Sequence, residues 1–427
     1  MKSFDVLIVG GGPGGYTLAH LLARQGKSVA LFERRKLGGA CLHVGCIPTK
    51  LLQQASVRYS ALSKEGKSWG LEAPEVKLNF DTIVARLKKT VTVLEMGISS
   101  MLKADKVEVV QGEATVKAPD LVVCSGEEYK GKELILAVGS RPRVLPSFPL
   151  GDGVVTSDEL LSQPRLPKSL LVVGAGVIGL EFAGLYAQMG VKVRVGDILS
   201  TLIPTMDAEL SQLLLNAYRK MGVELELGVE EVVRRDEDMV LVAAGRVNNL
   251  DHAGIPALNL AIEKGRVKVD GQLRTSVPGV WAIGDLSSTF PYAHSAYEHA
   301  RIVAEAMKGS KETMDDRKVP HVIFSSPEMA GVGMTEAEAK AACPSLKVLR
   351  NNMAAVSKAR ILGEIQGFVK VLYDGDSGRI LGVQMAGPEA TDLIGEACLL
   401  VSKGLTVEDL KRTLHPHPTL AEAFYFH

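Results

Sequence analysis

The 427-residue chain is poor in aromatic residues, 5% with only two tryptophans, so it offers no row of rings on which unpaired bases could stack. Its charge does not lean either way. Lys plus Arg number 49 and so do Asp plus Glu, a balance that gives neither a footing for a polyanion nor the self-repulsion of a disordered chain. Cysteine is scarce and odd in number (Cys41, Cys46, Cys124, Cys343, Cys398), which excludes a secreted disulfide framework. No apolar run reaches the roughly 18 residues of a membrane span. Met1 to Asp5 lead straight into Val6-Leu7-Ile8-Val9 without a basic and then apolar leader. The expectation is a cytoplasmic protein with neither nucleic acid nor membrane as partner.

Glycine is plentiful, with 43 residues, as suits a chain with many tight strand-to-helix turns. Phe4–Val9 reads as a strand, Tyr16–Gln25 as a helix and Ser28–Phe32 as a second strand. The same grammar returns at Ser169–Val173, a helix through Met189, and Val191–Val195. Between them come a helix near Asp81–Leu102, short strands at Val107–Val110, Leu121–Cys124 and Glu133–Val138, and a proline-marked linker. Beyond Arg246 strands are expected at Val267–Val269 and Val280–Ile283, with a helix from about Ser295. From Val319 the pattern becomes α+β, with strands near His321–Phe324 and Phe368–Tyr373 and helices near Thr391–Ser402 and Val407–Thr413.

Gly10-x-Gly12-x-x-Gly15 follows the first strand and opens the first helix, and Glu33 ends the next strand 21 residues beyond Gly12. That context is the dinucleotide fingerprint: glycines permit a tight turn and close approach, the helix N-terminus faces pyrophosphate, and the acid accepts from ribose hydroxyls. Gly174-x-Gly176-x-x-Gly179 repeats it, with Asp197 again 21 residues after the middle glycine. An acid there favours NAD over NADP, whose 2'-phosphate wants arginine. Arg194 is close in sequence, but strand alternation puts it on the face opposite Asp197. Cys41 and Cys46 bracket Leu-His-Val-Gly; a spacing of five at a helix start brings two thiols together where thiolate is favoured, which suits a redox disulfide. His43 alone does not complete a zinc set, so no metal is expected.

Two dinucleotide motifs flanking only an insertion, with this Cys-x4-Cys, resemble the flavoprotein disulfide reductases, the class I pyridine nucleotide-disulfide oxidoreductases. The segments Ile135–Pro142, Thr275–Asp285 and His415–Glu422 extend the resemblance over nearly the whole chain. It is strongest to the branch that oxidises dihydrolipoamide. The resemblance implies an α/β fold with two Rossmann-like domains, the NAD domain inserted in the FAD domain, and a C-terminal α+β dimerisation domain. The divisions are 1–147 and 257–318 for FAD, a shortened 148–256 for NAD, and 319–427 for the interface. It also implies FAD in the first motif, with Glu33 on the adenosine ribose, Ala114 near adenine, Gly139 near the flavin arm, Asp285 on the ribitol side, and Ala293 with His294 at the flavin pyrimidine. Gly245 of the Gly-Arg segment joins the cofactor set. Lys50 and Glu181 become an ion pair beside the flavin, and His417, oriented by Glu422, an acid-base acting across a homodimer interface on a dithiol carried by a lipoyl protein. His415 is left as structural.

Several positions depart from that pattern. Ala40 stands in place of Thr, His43 of Asn, Val138 of Thr and Pro416 of Ala, and the Gly245–Asn249 segment lacks a proline. Only about 20 residues separate Leu225 from Gly245, where a longer β-meander is usual. The shortening is expected to open the adenosine side of the NAD site, weakening NAD binding or admitting a partner protein. Two alternatives stand beside dihydrolipoamide oxidation. One is a glutathione-type disulfide reductase, disfavoured by Asp197; the other is a low-turnover FAD-binding partner of a lipoyl-protein assembly. A mercuric reductase is disfavoured because the chain ends Phe426-His427 without a vicinal cysteine pair.

Overall fold

Val6, Leu7, Ile8 and Val9 are buried without alternation, as a strand covered on both faces requires, and they form the middle of a mostly parallel sheet. This is a computed structural model describing residues 1–72, 75–252 and 254–426; His427 lies outside the described residues. The sheet runs Glu108–Gln111, Val29–Glu33, Lys2–Val9, Glu127–Leu136. The last of these is ten residues long because it serves two partners in turn. Its first half pairs antiparallel with Leu121–Cys124, which carries Ala114–Ala118 beyond it, and its second half pairs parallel with Val280–Ala282. Residues 146 positions apart thereby share one sheet, as Ala282 pairs with Leu136.

The chain leaves this unit along Ser140–Pro142 and returns along Arg246–Asn248, and those two short strands pair with each other. Everything between them builds a second sheet, all parallel, in the order Glu224–Leu227, Lys192–Asp197, Ser169–Val173, Met239–Val242, Val154–Thr156. The segment 228–238 contains no strand. It folds back so that Val232 covers Gly196, where a Cβ would lie 2.5 Å from Val232 Cγ1.

The third sheet is antiparallel, ordered His321–Ile323, Glu328–Gly333, Ile380–Gly387, Phe368–Asp374, Leu346–Asn352, with helix Ala390–Lys403 packed on it. One buried cluster joins the units. Leu52, Leu180, Phe182, Ile323, Met329, Phe368 and Ala386 belong to it, so the helix after the cysteine pair is wedged between the second and third sheets.

Candidate active site at the thiol pair

The cysteines do not share one helix. Gly39–Val44 and Cys46–Ser60 are separate, because Gly45 between them takes φ −146° and ψ −113°. A Cβ at Gly45 would come within 3.0 Å of Ala40 O, so this break needs glycine or a small shift. Its effect is to make Cys46 the first residue of a 15-residue helix, where the unpaired amides favour negative charge. All five cysteines are free thiols in this structure. Cys41 and Cys46 are hydrogen-bonded to each other, which pushes the Cys41 thiol up and holds the Cys46 thiol down; the Lys50 charge lowers Cys46 further, against the cost of burial. His43 turns away from the pair and donates to Leu37 O at 2.8 Å.

Lys50, one helical turn beyond Cys46, places its Nζ 2.7 Å from Glu181 Oε2 and 4.3 Å from the centre of the Phe324 ring. Glu181 is 7% exposed, and its other oxygen accepts from Phe324 N at 3.1 Å. A buried carboxylate is thus paired and hydrogen-bonded on both oxygens, the condition under which a buried charge is tolerable. Phe324 was invisible to motif reading, since only its position over Lys50 marks it.

The two glycine turns are alike in detail. Gly10 (φ +111°) and Gly174 (φ +110°) sit where a Cβ would lie 2.3 Å from Ala137 O and 2.6 Å from Ala243 O. A Cβ at Gly15 or Gly179 would strike the carbonyl of Gly10 or Gly174 at 1.8 Å and 2.0 Å. Gly12 and Gly176 differ: each is a helix N-cap with no side-chain cap, and a Cβ there meets at most Gly39 Cα at 3.9 Å. The acids correspond too. Glu33 accepts from Gly11 N (2.8 Å) and Arg35 N (2.7 Å); Asp197 accepts from Ala175 N (2.6 Å) and Leu199 N (2.8 Å). Each turn therefore presents uncapped helix amides, open space above a glycine and a fixed carboxylate, which is what a pyrophosphate and a ribose require. Arg194 points elsewhere. It is held by Glu226 at 2.7 Å, by Glu237 at 2.5 Å and by Val233 O at 2.8 Å, so it is spoken for within its own fold.

Asp285 lies in the turn Gly284–Leu286, accepts a hydrogen bond from Ser140 Oγ, and is pushed up by burial. Arg246 fixes Ser140 through its hydroxyl and its carbonyl, both at 2.8 Å. Neither Ser140 nor Arg246 was singled out from sequence; the pairing of the two crossing strands brings them here. Gly139 (φ +65°) and Gly245 (φ +100°) flank this crossing, with nothing within 4 Å of either Cβ position. Ala293 begins helix Ala293–Ala306, and His294 donates to Pro320 O at 2.9 Å while stacking on Tyr292 at 5.0 Å. Ala114 is buried at the start of its strand, opposite Cys124.

His417 Nδ1 and Glu422 Oε1 are 2.8 Å apart, and this contact is the largest influence holding the Glu422 carboxyl below its usual range. The His417 side chain is 68% exposed, and within one chain no described hydrogen bond or ion pair links the couple to the thiols.

Residues 4–300 match the family described as pyridine nucleotide-disulphide oxidoreductase, and residues 319–425 match its dimerisation domain. Curated relatives include a dihydrolipoyl dehydrogenase of Bacillus subtilis (36% identical, 98% of this chain and 96% of the relative) and one of Geobacillus stearothermophilus (37%, 98% and 94%). Among solved structures, LpdA from Mycobacterium tuberculosis superposes with TM-score 0.90 at 25% identity, over 99% of this chain and 98% of the other. The HOCl-induced flavoprotein disulfide reductase RclA from Escherichia coli, solved as a Cu(II) complex, gives 0.89 at 26%, with the same coverage. The geometry of the two turns, the thiol pair and these likenesses agree: the chain belongs to the pyridine nucleotide-disulphide oxidoreductase family, as a flavoprotein disulfide oxidoreductase with FAD and NAD as cofactors.

Proposed function

We propose that the chain oxidises protein-bound dihydrolipoamide to lipoamide with NAD as acceptor, through a Cys41–Cys46 redox pair. The observation that carries this reading is the asymmetry of the pair: Cys46 is held toward thiolate at a helix N-terminus, one turn from the Lys50–Glu181 ion pair. In the first half-reaction His417 of the partner subunit takes a proton from one substrate thiol. That sulfur attacks Cys41 Sγ of the oxidised pair, the Cys41–Cys46 bond breaks, and Cys46, the better leaving thiolate, keeps the electrons. The second substrate sulfur then attacks the first, the mixed disulfide to Cys41 breaks, Cys41 leaves as a thiol with the proton the imidazole held, and the second thiol's own proton passes to the imidazole. The substrate is thereby oxidised by two electrons and the pair reduced by two. FAD, when bound, supplies the two-electron link from the thiols to NAD.

In this reading residues 1–147 and 257–318 hold FAD, with Gly10, Gly12, Gly15, Glu33, Ala114, Gly139, Asp285 and Ala293 around it. Residues 148–256 hold NAD through Gly174, Gly176, Gly179, Asp197 and Gly245, and 319–427 form the interface of a homodimer that shares its sites. The exposure of the His417–Glu422 couple on a single chain supports an act across that interface. A lipoyl-carrying protein supplies the dithiol, and the sparse, odd set of cysteines suits a reducing cytoplasm.

The test is NADH formation by FAD-replete protein given dihydrolipoamide and NAD, with NADP in parallel. NAD-specific turnover is expected. Reduction of glutathione disulfide by NADPH instead, or a flavin that dihydrolipoamide leaves oxidised, would overturn the proposal.

A further inference from the structure

We propose that the Tyr292 hydroxyl recognises the carboxamide of the nicotinamide ring by donating to its oxygen, and that His321 is the residue that positions Tyr292 for this. The inference rests on the placement of FAD and NAD at the two glycine turns given above.

The pair spans the seam between the two nucleotide units. On one side Tyr292 is the N-cap of helix Ala293–Ala306, whose first turn lies on the FAD cradle. Ala296 O is 3.5 Å from a Cβ built at Gly14, and Ala296 Cβ is 3.6 Å from one built at Gly284, next to Asp285. On the other side His321 opens strand His321–Ile323, which is tied to Val177–Gln188, the helix of the second glycine turn. Ile323 joins Leu180 and Phe182 in one buried cluster, and Phe324 N donates to Glu181 Oε1 at 3.1 Å. Tyr292 and His321 therefore meet where flavin and nicotinamide must come together for a hydride to pass.

Rings hold Tyr292 while its hydroxyl keeps a hydrogen to give. The Tyr292 ring stacks on His294 at 5.0 Å and meets the His321 ring edge-on at 5.8 Å and 86°, and Phe290 backs His321 at 4.4 Å. The hydroxyl lies 3.4 Å from His321 Nδ1, and no other hydrogen bond is described for it. Both side chains are half-buried whereas Ile323 and Ser295 are buried, so the pair borders an opening and not the core. Burial holds the His321 imidazole below its ordinary range and, with the Glu181 charge adding to it, pushes the Tyr292 hydroxyl up to about 12. Near neutral pH the imidazole thus has one N–H and the phenol keeps its proton. With that N–H on Nδ1, His321 donates to the Tyr292 oxygen, and the Tyr292 O–H donates onward.

A carboxamide needs a donor for its oxygen and an acceptor for its amide hydrogens. At this seam Tyr292 supplies the donor, and the Glu181 carboxylate, which has lone pairs beyond those taken by Lys50 and Phe324 N, supplies an acceptor. The rest of the dinucleotide, held at Gly176 and Asp197, makes neither contact. Loss of the Tyr292 hydroxyl therefore weakens the nicotinamide end alone.

ADP-ribose, which is NAD without the nicotinamide ring, separates the two ends. Calorimetry measures the affinity of NAD and of ADP-ribose for the FAD-loaded protein in wild type, Tyr292→Phe, His321→Leu and His321→Asn, with urea midpoints checking that each variant is folded. Tyr292→Phe is expected to weaken NAD about three- to tenfold, the range of one neutral hydrogen bond, and to leave ADP-ribose within about twofold. His321→Leu should weaken NAD in the same direction, and His321→Asn, which keeps a donor near the Nδ1 position, should restore most of the loss. Unchanged NAD affinity in Tyr292→Phe, or equal losses for NAD and ADP-ribose, overturns the proposal. Equal losses in His321→Leu and His321→Asn overturn the positioning role of His321. A wild type that binds neither ligand overturns the NAD site of the proposed function and this inference with it. One that binds both but does not oxidise dihydrolipoamide overturns the proposed function alone, and the two affinities still decide the role of Tyr292.

Discussion

Lys50 and Glu181 meet at 2.7 Å although 131 positions separate them, and the meeting ties the helix that Cys46 begins to the helix of the second glycine turn. The same lysine lowers the Cys46 thiol. Lys50→Met therefore raises the Cys46 pKa, by about one unit or more, read from the ultraviolet thiolate absorbance of the reduced protein against pH. It also leaves Glu181 buried and unpaired, which costs up to about 3 kcal/mol of stability in urea unfolding. An unchanged thiol titration would show that the helix terminus and Cys41 suffice to hold Cys46 down.

His299 gives a pH dependence of folding. It is 2% exposed, accepts from Gly284 N at 3.1 Å on Nδ1, and burial pushes its pKa from 6.5 down to about 4. A folded pKa below the unfolded one means that the unfolded chain binds the extra proton first. Stability is unaffected above pH 6.5 and falls as pH drops from 6.5 toward 4, by about 3 kcal/mol over the window. His299→Gln keeps an acceptor for Gly284 and removes the titration. Urea midpoints of the variant should change less than those of wild type between pH 7 and pH 5; equal slopes would assign the acid sensitivity to other groups.

In the proposed NAD site, nicotinamide specificity is expected to follow from Asp197 and from what holds Arg194. Asp197→Asn removes the charge that repels a 2'-phosphate while retaining an acceptor for Ala175 N, so the preference for NAD over NADP falls, by about tenfold or more in kcat/KM. Arg194→Leu does not touch this preference, because its guanidinium is held by Glu226 and Glu237. It strands the buried Glu237 carboxylate instead and costs about 3 kcal/mol of stability. Steady-state kinetics with both nucleotides, beside urea unfolding, separate the two effects.

What sequence could show was whatever local pattern determines. A glycine turn between an apolar run and a helix needs no distant partner to be recognised, and the helix Phe80–Ala104 was foreseen within two residues at each end. The C-terminal strands were harder. Glu328–Gly333 and Ile380–Gly387 are rich in glycine, and Leu346–Asn352 is half exposed and polar, so neither apolar run nor clean alternation marks them; pairing with neighbours makes them strands. Lys370 lies buried in Phe368–Asp374 because Asp207 and Glu336, from two other elements, each reach it at 2.8 Å. No reading of its own segment foretells that. Within the candidate site the same line divides Cys41, Cys46 and Lys50, which are neighbours in sequence, from Phe324, Ser140 and Arg246, which only the fold delivers. The shortened segment 228–238 was evident as a missing length, but Val232 lying over Gly196 was not.

Two glycines of one motif are needed for different reasons, and the difference can be measured. Gly174 has φ +110° and no room, with the Ala243 carbonyl 2.6 Å from a Cβ; Gly176 has φ −81°, ordinary for any residue, and nothing within 4 Å. Gly174→Ala therefore strains the fold and costs about 2 kcal/mol or more, seen as a lowered urea midpoint with or without nucleotide. Gly176→Ala changes stability by only a few tenths of a kcal/mol or so, since alanine's poorer fit at a helix N-cap is offset by the entropy it removes from the unfolded chain where the backbone is compatible. Its methyl group instead enters the space a pyrophosphate would occupy above the first-turn amides. NAD affinity by calorimetry should fall at least about tenfold while the urea midpoint stays put. Gly10 and Gly12 should divide in the same way for FAD retention. If Gly176→Ala binds NAD as tightly as wild type, the nucleotide does not cross that turn, and the NAD site must be sought elsewhere on the second sheet.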